Sequence, residues 1–125
     1  MNETNKNEKI QYPQRPFGTR NNRKVKLPIL GFPSVALARL PFSTDQATAD
    51  AAVRHAVEEL GLRYFDVAPE YGDGVAQERL GPALKPYRND VFLAAKTMYR
   101  DASGALADFE NSLRALQTDR LDLYQ

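Results

Sequence analysis

The chain has 125 residues, about the length of one domain, and a formal net charge of +1 at pH 7. Its composition, 42% hydrophobic and 26% charged, is close to that of an average globular domain. The balanced charge excludes a strongly basic nucleic-acid-binding protein. The absence of cysteine excludes disulfide scaffolds, thiolate metal sites and cysteine nucleophiles. Because His55 is the single histidine, a multi-histidine metal centre is excluded and no metal site is expected.

The sequence predicts a cytoplasmic protein that contacts neither a membrane nor a nucleic acid. No apolar run approaches the ~18 residues of a membrane span, and residues 1–11 lack the apolar core of a secretory signal. Basic residues are in excess over residues 1–28, but they are scattered. A solvated basic tail is therefore favoured over an arm that binds nucleic acid or membrane. The oligomeric state is left open.

The N-terminal part predicts a tail and a hairpin. Residues 1–12 are polar and rich in Asn, Lys and Glu, so we expect a disordered tail followed by one domain over residues 13–125. Residues 15–29 predict a β-hairpin, because Asn21 and Asn22 suit its turn and apolar residues alternate in the second arm.

The next segment predicts a strand and an amphipathic helix. The apolar stretch 30–37, interrupted by Pro33, predicts the first strand of a sheet. Ser43 is the expected helix N-cap, with Gln46 completing a capping box, and Gly61 is expected to end the helix. One helical face is formed by apolar residues at Ala49, Ala52, Val53, Ala56, Val57 and Leu60.

Strands and helices then alternate with a regular period. Strands are predicted over residues 63–67, 90–96 and 121–125, with helices over 75–84 and 106–116, the latter marked by Leu106, Phe109, Leu113 and Leu116. The strands start about 28 and 30 residues apart, which is the length of a βα unit. This order predicts an α/β fold with a parallel sheet, either doubly wound or a (β/α)₈ barrel. Because the chain ends within an apolar strand, we expect the N-terminal half of a larger protein.

Three ionisable residues are expected at the carboxyl ends of these strands, where (β/α)₈ barrels hold their active sites. Asp66 ends the second strand, Tyr71 lies in the loop after it, and Lys96 ends the third strand. A phenol is a weak acid at neutral pH, and an ammonium group beside it favours the phenolate, so this set can donate a proton to a carbonyl oxygen. The spacing alone equally allows a structural tyrosine, a solvated lysine and a helix-capping aspartate.

Several motifs resemble those of the aldo-keto reductase superfamily. Residues 65–72 (FDVAPEYG) resemble its FDTAxxYG motif, and residues 78–84 resemble its SExxLGxAL helix. Residues 91–97 (VFLAAKT) are similar to its third-strand lysine motif, and residues 112–125 to its SLxxL and DLxQ segment. The opening of the chain is similar to the hairpin that closes the bottom of the family's barrel. The resemblance covers about residues 15–125 and is specific, because ordered motifs recur at matching spacings.

This resemblance implies the N-terminal half of a (β/α)₈ barrel, about four βα units preceded by a β-hairpin. Members of the superfamily bind NADP(H) and transfer a hydride between its nicotinamide and an aldehyde, ketone or alcohol. The resemblance makes Tyr71 the proton donor, with Asp66 and Lys96 as its catalytic partners and Asp66 also near the nicotinamide. A histidine that completes this set would lie two residues after Gln125, and most other cofactor contacts would also lie beyond it. We therefore expect the isolated chain to be inactive.

The sequence departs from the family's pattern at a few positions. Pro33 and Ser34 stand where the family has Gly-Thr, Val67 replaces the motif threonine, and Gln77 replaces the serine before Glu78. Because proline fixes φ and removes an N–H group, the first loop near the nicotinamide is expected to be altered.

Two other functions are left open by the sequence. The chain is alternatively a non-catalytic binding subunit of the same superfamily, or a half-barrel that assembles with a second copy.

His55 lies off the apolar helix face and is expected to be exposed and far from the site. Residues 72–74 (GDG) are not a dinucleotide fingerprint, because no third glycine follows at the required spacing.

Overall fold

The computed structural model describes residues 10–38 and 44–125. Most of the predicted tail and the predicted cap Ser43 lie outside the described residues. Tyr12, at the end of the predicted tail, packs against the hydrophobic core.

The predicted β-hairpin is confirmed. Strand β1 (Gln14–Arg20) pairs antiparallel with strand β2 (Arg23–Pro28). Asn21 and Asn22 form the turn with φ of 49° and 61°. Two successive residues in the left-handed region give the turn geometry that matches the twist of a two-residue hairpin.

The first strand of the parallel sheet is shorter than predicted. Strand β3 contains only Phe32–Pro33, and the chain then forms a 3₁₀ helix over Ser34–Ala38. The prediction of a strand over residues 30–37 is therefore wrong except at Phe32–Pro33. The physical reason is Pro33, which has no N–H group to continue a ladder.

Helix α1 (Gln46–Arg54) begins at a different cap from the predicted one. Asp45 is the N-cap, and its carboxylate accepts a hydrogen bond from the Thr48 backbone N–H at 2.7 Å. The predicted capping box is wrong, because Gln46 is the first helical residue and its amide donates to the Asp50 carboxylate instead.

The predicted helix continues as one wider turn. Residues His55–Glu59 form a π-helix, and the carbonyl of Val57 within it accepts a hydrogen bond from the Arg63 guanidinium at 2.8 Å. Gly61 ends the segment with φ of +68°, as predicted. The predicted apolar face is buried at Ala49, Val53, Ala56 and Val57.

The remaining strands complete a parallel sheet in the order β3-β4-β5-β6. Strand β4 is Tyr64–Asp66, β5 is Phe92–Ala95 and β6 is Leu123–Tyr124. Phe65 of β4 lies opposite Leu93 of β5, and both side chains are fully buried in the core shared with the helices. The predicted parallel arrangement is confirmed.

Two further helices follow β4 and β5. Helix α2 (Val75–Leu84) has the predicted bounds, and helix α3 (Ala102–Ala115) begins earlier than predicted. Of the residues that marked the third helix, Leu116 is buried but Leu106 is 58% exposed, because it lies on the side of α3 that faces away from the core. Within residues 10–38 and 44–125, none of the helices has the length and apolar character needed to span a bilayer.

A buried carboxylate joins the hairpin to the sheet. Asp122, 6% exposed, binds Arg20 of β1 at 2.5 Å and Arg88 at 3.0 Å. It also accepts a hydrogen bond from the backbone N–H of Leu93 at 2.9 Å. These contacts tie the hairpin to the edge of the sheet opposite the carboxyl ends of its strands. This network was not predicted from the sequence.

Candidate active site

The parallel sheet brings Asp66 and Lys96 together. Asp66 is the last residue of β4, and Lys96 directly follows β5. Because the two strands are parallel neighbours, their carboxyl ends meet at one edge. The Lys96 ammonium binds the Asp66 carboxylate at 2.5 Å and also lies 3.4 Å from the carbonyl oxygen of Val67.

Tyr71 approaches the same ammonium from the loop after β4. The Nζ atom of Lys96 lies over the Tyr71 ring, 5.3 Å from its centroid. This contact is a cation–π interaction with the face of the ring. The structure therefore places the three predicted residues in one cluster, with the ammonium between the carboxylate and the aromatic ring.

The loop that carries Tyr71 has a compact, turn-rich backbone. Gly72, Asp73 and Gly74 all have positive φ, between 52° and 91°, and α2 begins directly after them. At Gly72 a side chain is also excluded by contact, since a Cβ atom there would lie 2.5 Å from the Cβ of Ala38. The glycines of this segment thus shape the loop that presents Tyr71.

The cluster is open to solvent on one side. The side chain of Asp66 is 30% exposed and that of Lys96 is 28% exposed. Burial raises the pKa of the nearby Tyr64, and the negative charge of Asp66 raises it further, whereas the positive charge of Lys96 lowers it. Tyr64 therefore stays protonated at neutral pH and adds no charge to the site.

This arrangement combines a phenol with a nearby fixed positive charge. A positive charge beside a phenol stabilises the phenolate that remains after proton donation. The Asp66 carboxylate holds the ammonium in place through their ion pair. Such a set suits reactions in which negative charge develops on a substrate oxygen.

The structure keeps His55 away from this cluster. Its ring is 53% exposed and its Nδ1 atom lies 3.0 Å from the carboxylate of Glu59, in the helical segment before β4. Among the described residues, no group of three histidine or carboxylate side chains is arranged to hold a metal ion.

Comparison with known proteins identifies the family. Residues 30–125 match the family model described as the aldo/keto reductase family. The chain belongs to the aldo/keto reductase family. It is 40% identical over 94 residues to the aldo-keto reductase YhdN of Bacillus subtilis and 43% identical over 84 residues to the methylglyoxal reductase YeaE of Escherichia coli. Each alignment covers 66% of this chain, and the chain spans 28% and 29% of the two relatives.

Solved structures of the same family support the fold. An aldo-keto reductase from Klebsiella pneumoniae, in complex with NADP and acetate, is 31% identical with a TM-score of 0.67, and the match covers 81% of this chain and 35% of that one. A Pseudomonas aeruginosa protein described as an aldo-keto reductase gives a TM-score of 0.75 at 25% identity, covering 98% of this chain and 50% of that one. The predicted fold class, the N-terminal half of a (β/α)₈ barrel, is confirmed.

The departures from the pattern of the aldo/keto reductases have structural counterparts. Val67 is completely buried, so an apolar side chain packs in the core at the position where the family's motif has a threonine hydroxyl. Gln77 is buried in α2 and donates a 2.8 Å hydrogen bond to the hydroxyl of Ser112 in α3. Ser34 is also completely buried, and its hydroxyl has no hydrogen-bond partner among the described residues.

Proposed function

We propose that this chain is part of an NADP(H)-dependent oxidoreductase that interconverts small aldehydes or ketones and the corresponding alcohols. The observation that carries the proposal is the position of the Lys96 ammonium, 2.5 Å from the Asp66 carboxylate and over the ring of Tyr71. The named relatives support it, since they include a methylglyoxal reductase and a reductase solved with NADP. Its proposed compartment is the cytoplasm.

The residues present fit a cofactor that delivers hydride. A carbonyl that accepts hydride becomes an alkoxide and needs a proton, and the cluster contains a phenol beside a fixed ammonium. NADPH, when bound, supplies the hydride, and Asp66 is the described residue proposed to lie near its nicotinamide. The other residues that hold the cofactor are proposed to lie in the part of the relatives that this chain does not cover.

Each residue of the cluster has a separate role in the proposal. The Tyr71 hydroxyl donates its proton to the carbonyl oxygen of the substrate, and takes it back when an alcohol is oxidised. Lys96 stabilises the resulting phenolate through its positive charge. Asp66 is the positioning partner whose ion pair holds the ammonium over the ring.

The 125-residue chain by itself is proposed to be inactive. In the described part of the chain, β6 is paired only with β5 and β3 only with β4, so both edges of the sheet are open. A closed barrel leaves no such unpaired strand. Activity is therefore to be measured on the full-length product of the gene.

The test replaces the phenol and leaves the ring. Tyr71→Phe keeps the cation–π contact with Lys96 but removes the proton donor, so kcat for NADPH-dependent reduction of a small aldehyde is expected to fall by about 100-fold or more. NADPH oxidation is followed by absorbance, and NADPH binding by fluorescence. The matched control is Tyr87→Phe, which removes a hydroxyl that bonds to Glu58 on the outer surface, far from the cluster.

Unchanged turnover in Tyr71→Phe would contradict the proposal. If the wild-type protein binds a partner but reduces no carbonyl compound, and Tyr71→Phe leaves that binding intact, the non-catalytic alternative is favoured instead.

A further inference from the structure

The loop after Lys96 is held by an unusual concentration of hydrogen bonds at Thr97. The backbone N–H of Thr97 donates to the carbonyl of Gln125 at 2.9 Å, which joins it to the end of the next strand. Its hydroxyl donates to the carboxylate of Asp108 in α3 at 2.8 Å. The same hydroxyl accepts from the backbone N–H of Tyr99 at 3.1 Å. Thr97 therefore connects the end of β5, the loop and α3.

A second contact holds the same loop against α3. The ring of Tyr99 packs so closely on Gly104 that a Cβ atom there would lie 2.5 Å from two ring carbons. Asp101 caps α3 by accepting a 2.8 Å hydrogen bond from the Gly104 backbone N–H. The loop is thus fixed at both ends, by the Thr97 hydroxyl and by the first turn of α3.

The position of Lys96 depends on this backbone. Its side chain leaves the chain one residue before Thr97 and reaches across to Asp66 of the neighbouring strand. Asp66 and Lys96 supply the charged groups. The hydrogen bonds of Thr97 hold the backbone from which the lysine side chain extends. The carboxylate of Asp108 orients the Thr97 hydroxyl by accepting its hydrogen bond. Because Asp108 is half-buried, this charge-assisted hydrogen bond lies in a partly desolvated setting, where it is strong.

We propose that Thr97 and Asp108 are positioning residues for the reaction, acting through the backbone of Lys96 to keep its ammonium between Asp66 and Tyr71. The inference rests on the proposed function, since it assigns these residues to the same site. Neither residue touches the reacting atoms. Their contribution comes from preorganisation, because small displacements of a catalytic group lower the rate steeply.

The experiment compares variants that remove or retain the hydrogen-bonding groups. Thr97→Val and Asp108→Ala remove the donor and the acceptor, whereas Thr97→Ser and Asp108→Asn keep a hydroxyl and a carbonyl oxygen in place. All four are made in the protein as its gene encodes it. We expect the first pair to lower kcat by about 5- to 20-fold with little change in KM, and the second pair to retain most of the activity.

A direct structural readout accompanies the kinetics. Amide hydrogen exchange at Tyr99 is expected to speed up in Thr97→Val, because its acceptor is lost, and to stay slow in Thr97→Ser. Thr118→Val is the matched control, since it also removes a threonine hydroxyl. That hydroxyl bonds to Arg88 and to the Arg120 carbonyl before β6, at the amino ends of the strands and away from Lys96.

The outcomes separate this inference from the proposed function. If Tyr71→Phe abolishes turnover but Thr97→Val keeps the wild-type kcat, the positioning role is overturned and the proposed function stands. If Thr118→Val lowers kcat as much as Thr97→Val does, the effect is one of general stability and the positioning role is again overturned. If Tyr71→Phe retains full turnover, the proposed function itself fails.

Discussion

Replacing Asp122 tests how the hairpin and the sheet are held together. In Asp122→Ala the Arg88 guanidinium, only 12% exposed, loses its carboxylate partner, and the backbone N–H of Leu93 loses its acceptor. Burial lowers the pKa of Arg88, and the charge of Asp122 raises it. The carboxylate of Asp122 therefore offsets part of the cost of burying the charged guanidinium.

The expected loss follows from the burial of each partner. Removing one member of a buried ion pair costs about 3–5 kcal/mol, because the remaining charge stays desolvated. The orphaned N–H of Leu93 is one cause of that loss. We therefore expect Asp122→Ala to lower the free energy of unfolding by about 3–5 kcal/mol.

Two matched variants separate the contributions. Arg20→Ala removes only the half-exposed partner, whose side chain is 50% exposed, and is expected to cost about 1 kcal/mol or less. Asp122→Asn keeps an oxygen that can accept from Leu93, so its cost should lie between those of the two alanine variants, and it stays measurable if Asp122→Ala fails to fold.

The assay is urea unfolding followed by circular dichroism, with the slope compared across variants to detect changes in the unfolded state. Equal losses for Arg20→Ala and Asp122→Ala would refute the reasoning from burial. A loss below about 1 kcal/mol for Asp122→Ala would do the same, since it is the range of a surface pair.

The other two predictions concern helix caps and close packing. Hydrogen bonds from backbone N–H groups lower the pKa of Asp45 and of Asp101 below 3.8, so their contribution to stability is complete above that pH and is lost as pH falls through the lowered values. Acid unfolding of the double variant Asp45→Asn and Asp101→Asn should therefore lack this part of the pH dependence, and an unchanged acid limb would contradict the capping role. Gly81→Ala should lower the free energy of unfolding by about 1–3 kcal/mol despite its better helix propensity, because the Cβ would lie 2.6 Å from the backbone oxygen of Leu116. Gly104→Ala, whose Cβ would meet the exposed side chain of Tyr99 rather than backbone, is expected to cost less in the same urea unfolding assay, and the reverse order would be evidence against this packing argument.

Local patterns in the sequence were sufficient to predict most of the elements. The hairpin turn at Asn21 and Asn22 follows from the left-handed conformation that asparagine tolerates. The bounds of α2 and the buried face of α1 follow from helical periodicity, which requires no knowledge of distant residues. The parallel order followed from the alternation of strands and helices, which also placed Asp66 and Lys96 at one edge.

Predictions from the local pattern were wrong where another residue, or the side of the helix that faces the core, decided the outcome. The strand at 30–37 ended early because Pro33 cannot donate to a ladder, a restriction that outweighed the apolar composition around it. The capping box at Gln46 was wrong because Asp45 accepted the N-terminal hydrogen bond. Leu106 fits the helical pattern of α3 but lies on its exposed side.

By itself, the sequence determined the α/β class, the succession of elements and the candidate residues Asp66, Tyr71 and Lys96, since each depends on short-range spacing. Only the tertiary structure decided that the ammonium lies over the ring of Tyr71, because that distance depends on how a turn-rich loop packs on the sheet. It likewise decided the three-way contacts of Asp122 and the hydrogen bonds of Thr97. These contacts join residues far apart along the chain, and their energies depend on burial that folding creates.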